Sequence, residues 1–311
     1  MNKLALAIVL AVTQFNLMAA AVHEHLQTIS VTIRAESGYS AGEGSGVIFT
    51  RKNADGDLVN FVWTAAHVID NLRTERKVIV NGSPRTLVEF KDAKIIKVIR
   101  QNGRSVGRLE LDAEVLKWSD ADDGHDLALL RVRKLNFITD TVKFYLDGKT
   151  PRLGTDLWHV GSLLGQMGSN SMTDGIYSQT GRLLPQLNKH VFDQTTVAAF
   201  PGSSGGGVFL KSDARYIGML VRGAGETFNL IVPIRRMQAW AKEQNILWAL
   251  DPKVPMPATD VIKRLDIEDT NGAFTEVDEK NSKKRKPGKT RAKNFPFQIK
   301  TEAIKPLVEI K

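Results

Sequence analysis

Between Gln27 and Leu250 the chain is a succession of short runs rich in Val, Ile, Leu, Thr and Phe, parted by Gly, Asn, Asp and Ser. The runs are Thr28–Arg34, Gly46–Thr50, Leu58–Trp63, Lys77–Val80, Thr86–Phe90, Ile95–Arg100, Leu127–Val132 and Leu157–Gly161. Many short strands with such punctuation predict an all-β barrel or sandwich. One helix is expected, Arg235–Trp248, where Met237, Trp240, Ile246 and Leu247 fall at helical spacing and Pro233 stands just upstream. No internal repeat is visible.

A chain of 311 residues, 42% hydrophobic and 25% charged, can bury an ordinary core in one large domain or two small ones. Wholesale disorder and a polytopic membrane protein are excluded. Cysteine is absent, so disulfides, thiolate catalysis and cysteine zinc sites are excluded as well, and covalent chemistry must use oxygen or nitrogen nucleophiles. The net charge of +9 raises the question of an anionic partner. Nearly half of it lies in Asp251–Lys311, with 14 basic against 10 acidic side chains. That segment starts with Pro252, Pro255 and Pro257 and carries the basic cluster Lys283–Lys293. It is expected to be a linker with little packed structure.

The first 21 residues have the order of a secretory signal peptide: a positive start at Met1-Asn2-Lys3, the apolar run Leu4–Val12, and small residues at Ala19-Ala20-Ala21. Cleavage is expected near Ala20 or Ala21, with an uncleaved anchor as the alternative, and the location is read as secreted or periplasmic.

Three segments carry candidate chemistry, in the order His, Asp, Ser. Val62-Trp63-Thr64-Ala65-Ala66-His67 places an imidazole at the end of an apolar strand. His125-Asp126-Leu127-Ala128-Leu129-Leu130 places a carboxylate at the mouth of another. Pro201-Gly202-Ser203-Ser204-Gly205-Gly206-Gly207 places a serine in a glycine-rich turn. A serine hydroxyl needs a base to take its proton as it attacks, and neutral histidine is the side chain matched to that task. The histidine needs an acceptor on its other nitrogen, the role for a carboxylate. Glycines let the turn aim N–H groups at a developing oxyanion, Gly202 and Ser204 being the natural donors. The order His–Asp–Ser goes with a double β-barrel, whereas the two other known orders go with α/β folds.

In these residues the sequence resembles the chymotrypsin-like (trypsin-like) serine peptidases, and within them the bacterial high-temperature-requirement type. Thr64-Ala65-Ala66-His67, Asp126-Leu127-Ala128-Leu129 and Gly202-Ser203-Ser204-Gly205-Gly206 carry the likeness. Gly44-Ser45-Gly46-Val47-Ile48, Val160-Gly161, Asp174-Gly175-Ile176, Thr180-Gly181-Arg182, Ile217-Gly218 and Ile231-Val232-Pro233 extend it. The resemblance implies two six-stranded antiparallel barrels with the triad in the crevice between them, His67 and Asp126 from the first and Ser204 from the second. Ser203 stands where activatable relatives have an aspartate, so activation by an N-terminal ion pair is not expected. Regulation by a PDZ domain is not expected either, since only Asp251–Lys311 follows.

The same resemblance puts Ala198 at the base of the primary specificity pocket with Ala199 beside it, and Arg222 and Gly223 on a rim strand, Met219–Gly223. Without a carboxylate there, small or medium apolar side chains are expected before the scissile bond. Arg222 is read as solvent-facing in preference to a contact for acidic residues. His23 and His25 beside the cleavage site are read as incidental and not as metal ligands, His159 as a satisfied core residue, and Trp63 and Trp240 as packing. His125 is expected to face away from Asp126. The leading reading is a serine endopeptidase acting on proteins or peptides without metal or organic cofactor. The alternative is a binding protein on a peptidase scaffold that uses Lys283–Lys293 on an anionic surface or nucleic acid, nucleic acid being the less expected of the two partners.

Overall fold

The computed structural model describes residues 22–80, 83–184, 190–223, 225 and 227–268. The expected signal segment and the cluster Lys283–Lys293 lie outside the described residues. Strands β1 (Ser30–Ser37), β2 (Ser40–Lys52), β3 (Leu58–Thr64), β6 (Ala93–Gln101), β7 (Arg104–Ser119) and β8 (Leu127–Val132) close one antiparallel barrel in the order β1-β2-β3-β8-β7-β6. A second closes in the order β10-β11-β14-β13-β12-β9, from β9 (Asp156–Leu163), β10 (Gly168–Leu183), β11 (Val191–Thr195), β12 (Gly207–Leu210), β13 (Tyr216–Gly223) and β14 (Asn229–Pro233). The expected pair of six-stranded barrels is therefore present. β4 (Arg73–Val80) and β5 (Ser83–Phe90) pair only with each other, as a ribbon outside the barrels.

The innermost strands are the most apolar: β3 and β8 are buried along almost their whole length, as are β12, β13 and β14. Closure removes the exposed edges that strands this apolar would otherwise present. Two expectations need adjusting. Residues 22–28 are helical, so the first strand begins at Ser30 and not at Thr28. The expected helix Arg235–Trp248 ends at Glu243, where Gln244 and the left-handed Asn245 (φ 57°) break it, and Leu247–Ala249 forms a separate 3-10 turn. Its buried face, Ile234, Met237, Trp240 and Ala241, leads back to the first barrel. There Trp240 meets Trp63 edge to face at 6.0 Å, and Trp248 meets Phe61 at 5.0 Å. The indole of Trp63 donates to Ala249 O at 3.1 Å.

The expectation of an unpacked segment from Asp251 is corrected for 251–268, which lies against the first barrel. The Arg51 guanidinium donates to the carbonyls of Trp248, Asp251 and Val254 at 2.9, 3.2 and 2.6 Å. The buried Lys117 ammonium donates to Asp266 O at 2.7 Å, Trp118 N donates to Ile267 O at 2.7 Å, and Arg73 pairs with Glu268. Ile262 is almost fully buried. Proline-rich composition concealed this because the holding groups are backbone carbonyls, which carry no sequence signature. A chain ended at Leu250 takes two of its three carbonyl acceptors from Arg51 and the Asp266 carbonyl from Lys117, and hydrogen bonds from charged donors such as these contribute about 1–3 kcal/mol each. At roughly 2–4 °C per kcal/mol for a domain of this size, its thermal midpoint is expected about 10 °C below that of a chain ended at Glu268. Equal midpoints by circular dichroism would count against the segment as structural.

Candidate active site

β3 delivers His67. Its last residue, Thr64, is pinned by a hydroxyl bond to Ser45 O at 2.7 Å, and the short helix Ala66–Ile69 starts immediately after Ala65. Ala65 and Ala66 are wholly buried, so the imidazole leaves a rigid base, with about a third of the side chain exposed. Asp126 enters at the mouth of β8 from a tight turn: Asp120 O accepts from Gly124 N and Asp126 N at 3.0 and 3.1 Å, and His125 N donates to Ser119 Oγ at 2.7 Å. The turn leaves Asp126 at φ 56°, a left-handed conformation costing a non-glycine residue about 1–2 kcal/mol. Strain of this kind persists where the surroundings over-determine it.

The two side chains meet closely. His67 Nδ1 lies 3.0 and 2.9 Å from the two Asp126 oxygens, and His67 N donates to Oδ1 at 3.1 Å. Asp126 is 2% exposed. Burial alone would lower the His67 pKa, but the charge and hydrogen bond of Asp126 outweigh it and raise it, with Arg222 opposing. Burial alone would raise the Asp126 pKa, but His67, Arg222 and the His67 N–H bring it below the ordinary carboxylate value. Both directions describe one carboxylate held ionised with a donor on Nδ1, leaving Nε2 as the basic nitrogen.

The serine turn sits against this base. Ser45 N donates to Ser204 O at 2.7 Å, and Ser45 Oγ donates to Gly202 O at 2.7 Å while accepting from Ser162 N. Gly205 adopts φ 88°, and a Cβ there would lie 2.1 Å from Ser45 O and 2.4 Å from Thr64 Oγ1, so only glycine lets the two segments touch. Within the turn, Ser203, Gly205 and Gly206 spend their N–H groups on Phe200 O, Leu220 O and Ser203 O. Among the described residues the N–H groups of Gly202 and Ser204 have no such acceptor. Pro201 O is held by Leu164 N at 2.7 Å, which turns the Gly202 N–H to the opposite side of a planar trans peptide. Ser204 Oγ donates to Val221 O at 3.4 Å and makes no hydrogen bond to His67 among the described residues. Resting geometry of this looseness is common in apo sites.

Ala198 and Ala199 are half-buried; Ala198 O accepts from Thr173 Oγ1 at 2.8 Å, and Ala199 packs on the core of the second barrel. Gly223 lies beside Asn229, where a Cβ would come within 2.2 Å of Oδ1. Arg222 departs from expectation. It does not face solvent: its side chain is 22% exposed, Nη2 donates to Ala121 O at 3.1 Å, and the same nitrogen lies 3.8 Å from Asp126 Oδ2. Ser45 was visible only as part of a glycine motif, although it braces the serine turn.

The other histidines behave as structural groups. His125 packs on His190 at 4.2 Å and on Trp240, and its carbonyl accepts from Arg236; burial, then the charges of His190 and Arg236, bring it down to about 3. His159 is wholly buried, with Nδ1 against Gly207 O at 3.0 Å, and burial brings it down to about 4. His25 pairs with Asp140 at 3.1 Å, and His23 stands edge-on to Trp158.

Solved structures share the fold. A serine endoprotease from Yersinia pestis aligns at 19% identity and TM-score 0.50, over 73% of this chain and 66% of that one. The HtrA-type protease AlgW, solved with a tripeptide, aligns at 19% identity and TM-score 0.52, over 75% of this chain and 64% of that one. Deg5 aligns at 20% identity and TM-score 0.51, over 75% of this chain and 95% of that one. This chain thus spans just under two thirds of the length of the first two. No curated protein sequence matches it. The family profile described as trypsin-like peptidase domain matches residues 44–219, which contain His67, Asp126 and Ser204. Covering more than half of the chain, and agreeing with the two barrels just described, that match means that the chain belongs to the trypsin-like peptidase domain family.

Proposed function

We propose that the protein is a serine endopeptidase in which His67, Asp126 and Ser204 form the catalytic triad. The observation that carries the reading is the doubly contacted His67–Asp126 pair beside a serine turn in which, among the described residues, the N–H groups of Gly202 and Ser204 have no backbone acceptor. Ser204 Oγ rotates from Val221 O to His67 Nε2, gives up its proton there and bonds to the peptide carbonyl carbon. The oxyanion forms against the N–H groups of Gly202 and Ser204, where each donor is worth about 3–4 kcal/mol. Collapse breaks the C–N bond as His67 returns the proton to the leaving amine. Water then attacks the acyl-enzyme by the same route in reverse.

Asp126 accepts from Nδ1 throughout and stabilises the imidazolium. Small or medium apolar side chains before the scissile bond suit a pocket based on Ala198 and Ala199, where neither residue at the base carries an anion for Lys or Arg. Secretion or periplasmic residence remains part of the proposal, resting on the order of residues in Met1–Ala21.

A fluorophosphonate probe is expected to label the wild-type chain and not Ser204→Ala. A peptide panel should then rank Ala and Val above Lys and Asp before the cut. Equal labelling of both chains would overturn the nucleophile assignment, and a preference for Lys would overturn the pocket.

A further inference from the structure

Asp126 has two oxygens, and the histidine does not account for both equally. Oδ1 accepts from His67 N and lies 3.0 Å from Nδ1, whereas Oδ2 lies 2.9 Å from Nδ1 and 3.8 Å from Arg222 Nη2. Arg222 comes from β13, one residue after Val221, whose carbonyl receives the Ser204 hydroxyl. Its Nη2 is tethered by Ala121 O, in the loop that also positions Asp126. Its Nε is buried without a hydrogen-bond partner among the described residues, so local hydrogen bonding does not explain the whole guanidinium. A long cationic side chain that could reach solvent is instead folded onto the carboxylate.

We propose that Arg222 is a positioning residue, a second cationic partner that helps to fix Asp126 through Oδ2 and extends activity toward lower pH. The inference rests on the triad assignment above. A fixed positive charge beside the His67–Asp126 pair makes protonation of either member harder, so His67 stays neutral, and able to act as base, to lower pH. Among the described residues, the other charged groups acting on the pair are Arg236, from the helix Ile234–Glu243, and Asp70, just after the His67 helix, which accepts from the Trp118 indole and which burial and then the charge of Asp126 push up to about 7. Arg236 is itself spent on His125 O, Val191 O and the face of Phe192, which leaves Arg222 as the cation in closest contact with the carboxylate. The distance of 3.8 Å marks this as a charge contact that orients without competing for the His67 hydrogen bond.

The test is titration of the His67 ring by NMR in the Ser204→Ala background, so that it does not depend on turnover. Arg222→Gln is expected to raise the midpoint by about 0.5–1 pH unit, and Arg222→Lys, which keeps the charge, to restore most of that shift. Arg222→Met, which keeps the stem packing, is measured alongside in case the glutamine chain does not fold. In the active chains the acid limb of kcat/KM should move upward by the same amount. One midpoint shared by the Arg, Lys, Gln and Met chains would overturn the proposal. A wild-type chain that turns over no peptide would overturn the peptidase reading instead and leave the titration standing.

Discussion

Ser204→Ala is expected to lower kcat on a peptide substrate by about 10^6-fold while leaving KM within a few-fold. The size follows from the proposed triad, whose three side chains would act as a unit. Without Oγ there is no acyl-enzyme, and the proton-accepting power of His67 has nothing to act on. The residual rate belongs to the oxyanion N–H groups and to binding. The substitution should leave the fold untouched, because Ser204 Oγ contributes only a 3.4 Å bond to Val221 O, and the contacts that seat the turn come from the Ser204 carbonyl and from Ser45. Stopped-flow or overnight peptide assays bracket the range, and a loss below tenfold would remove Ser204 from the chemistry.

Asp126→Asn should lower kcat about 10^4-fold. An amide cannot carry the charge that stabilises the imidazolium, and its NH2 group drives the proton of His67 to the wrong nitrogen. Asparagine is also the replacement that isolates this effect, since it is among the few residues that tolerate φ 56°. Two cations, Arg222 and Arg236, then face a neutral amide, for which a stability loss of about 1–3 kcal/mol is expected. Turnover falling far more than the thermal midpoint is the expected signature. A kcat within tenfold of wild type would show that His67 is oriented by something other than Asp126.

The parts of this site that could be found in the sequence are those held by neighbours in the chain. Thr64-Ala65-Ala66-His67 and Gly202-Ser203-Ser204-Gly205 are legible because small residues there answer a local need, tight packing under the imidazole and a left-handed turn under the serine. Arg222 was misread because what turns it inward, Ala121 O and Asp126, lies about a hundred residues away in the chain. β7 was missed for a related reason: its outer half, Arg104–Leu111, is mostly exposed, with Arg104, Arg108 and Glu110 interrupting any apolar run, and pairing with β6 makes it a strand. β10 carries glycines and polar residues that its register shifts accommodate and that hide it from a reading by apolar runs. Trp248 extended the expected helix because it is apolar at helical spacing, although its burial against Phe61 is served by a separate turn.

The path of the chain has a consequence for how the molecule comes apart. The first barrel is made, the second is made, and 234–268 then returns to be held by Trp63, Arg51 and Lys117 of the first. Neither barrel can loosen alone without baring charged donors and aromatic rings that the other end of the chain covers. Unfolding is therefore expected to be concerted, so that the opening a protease needs is that of the whole molecule rather than the fraying of one strand.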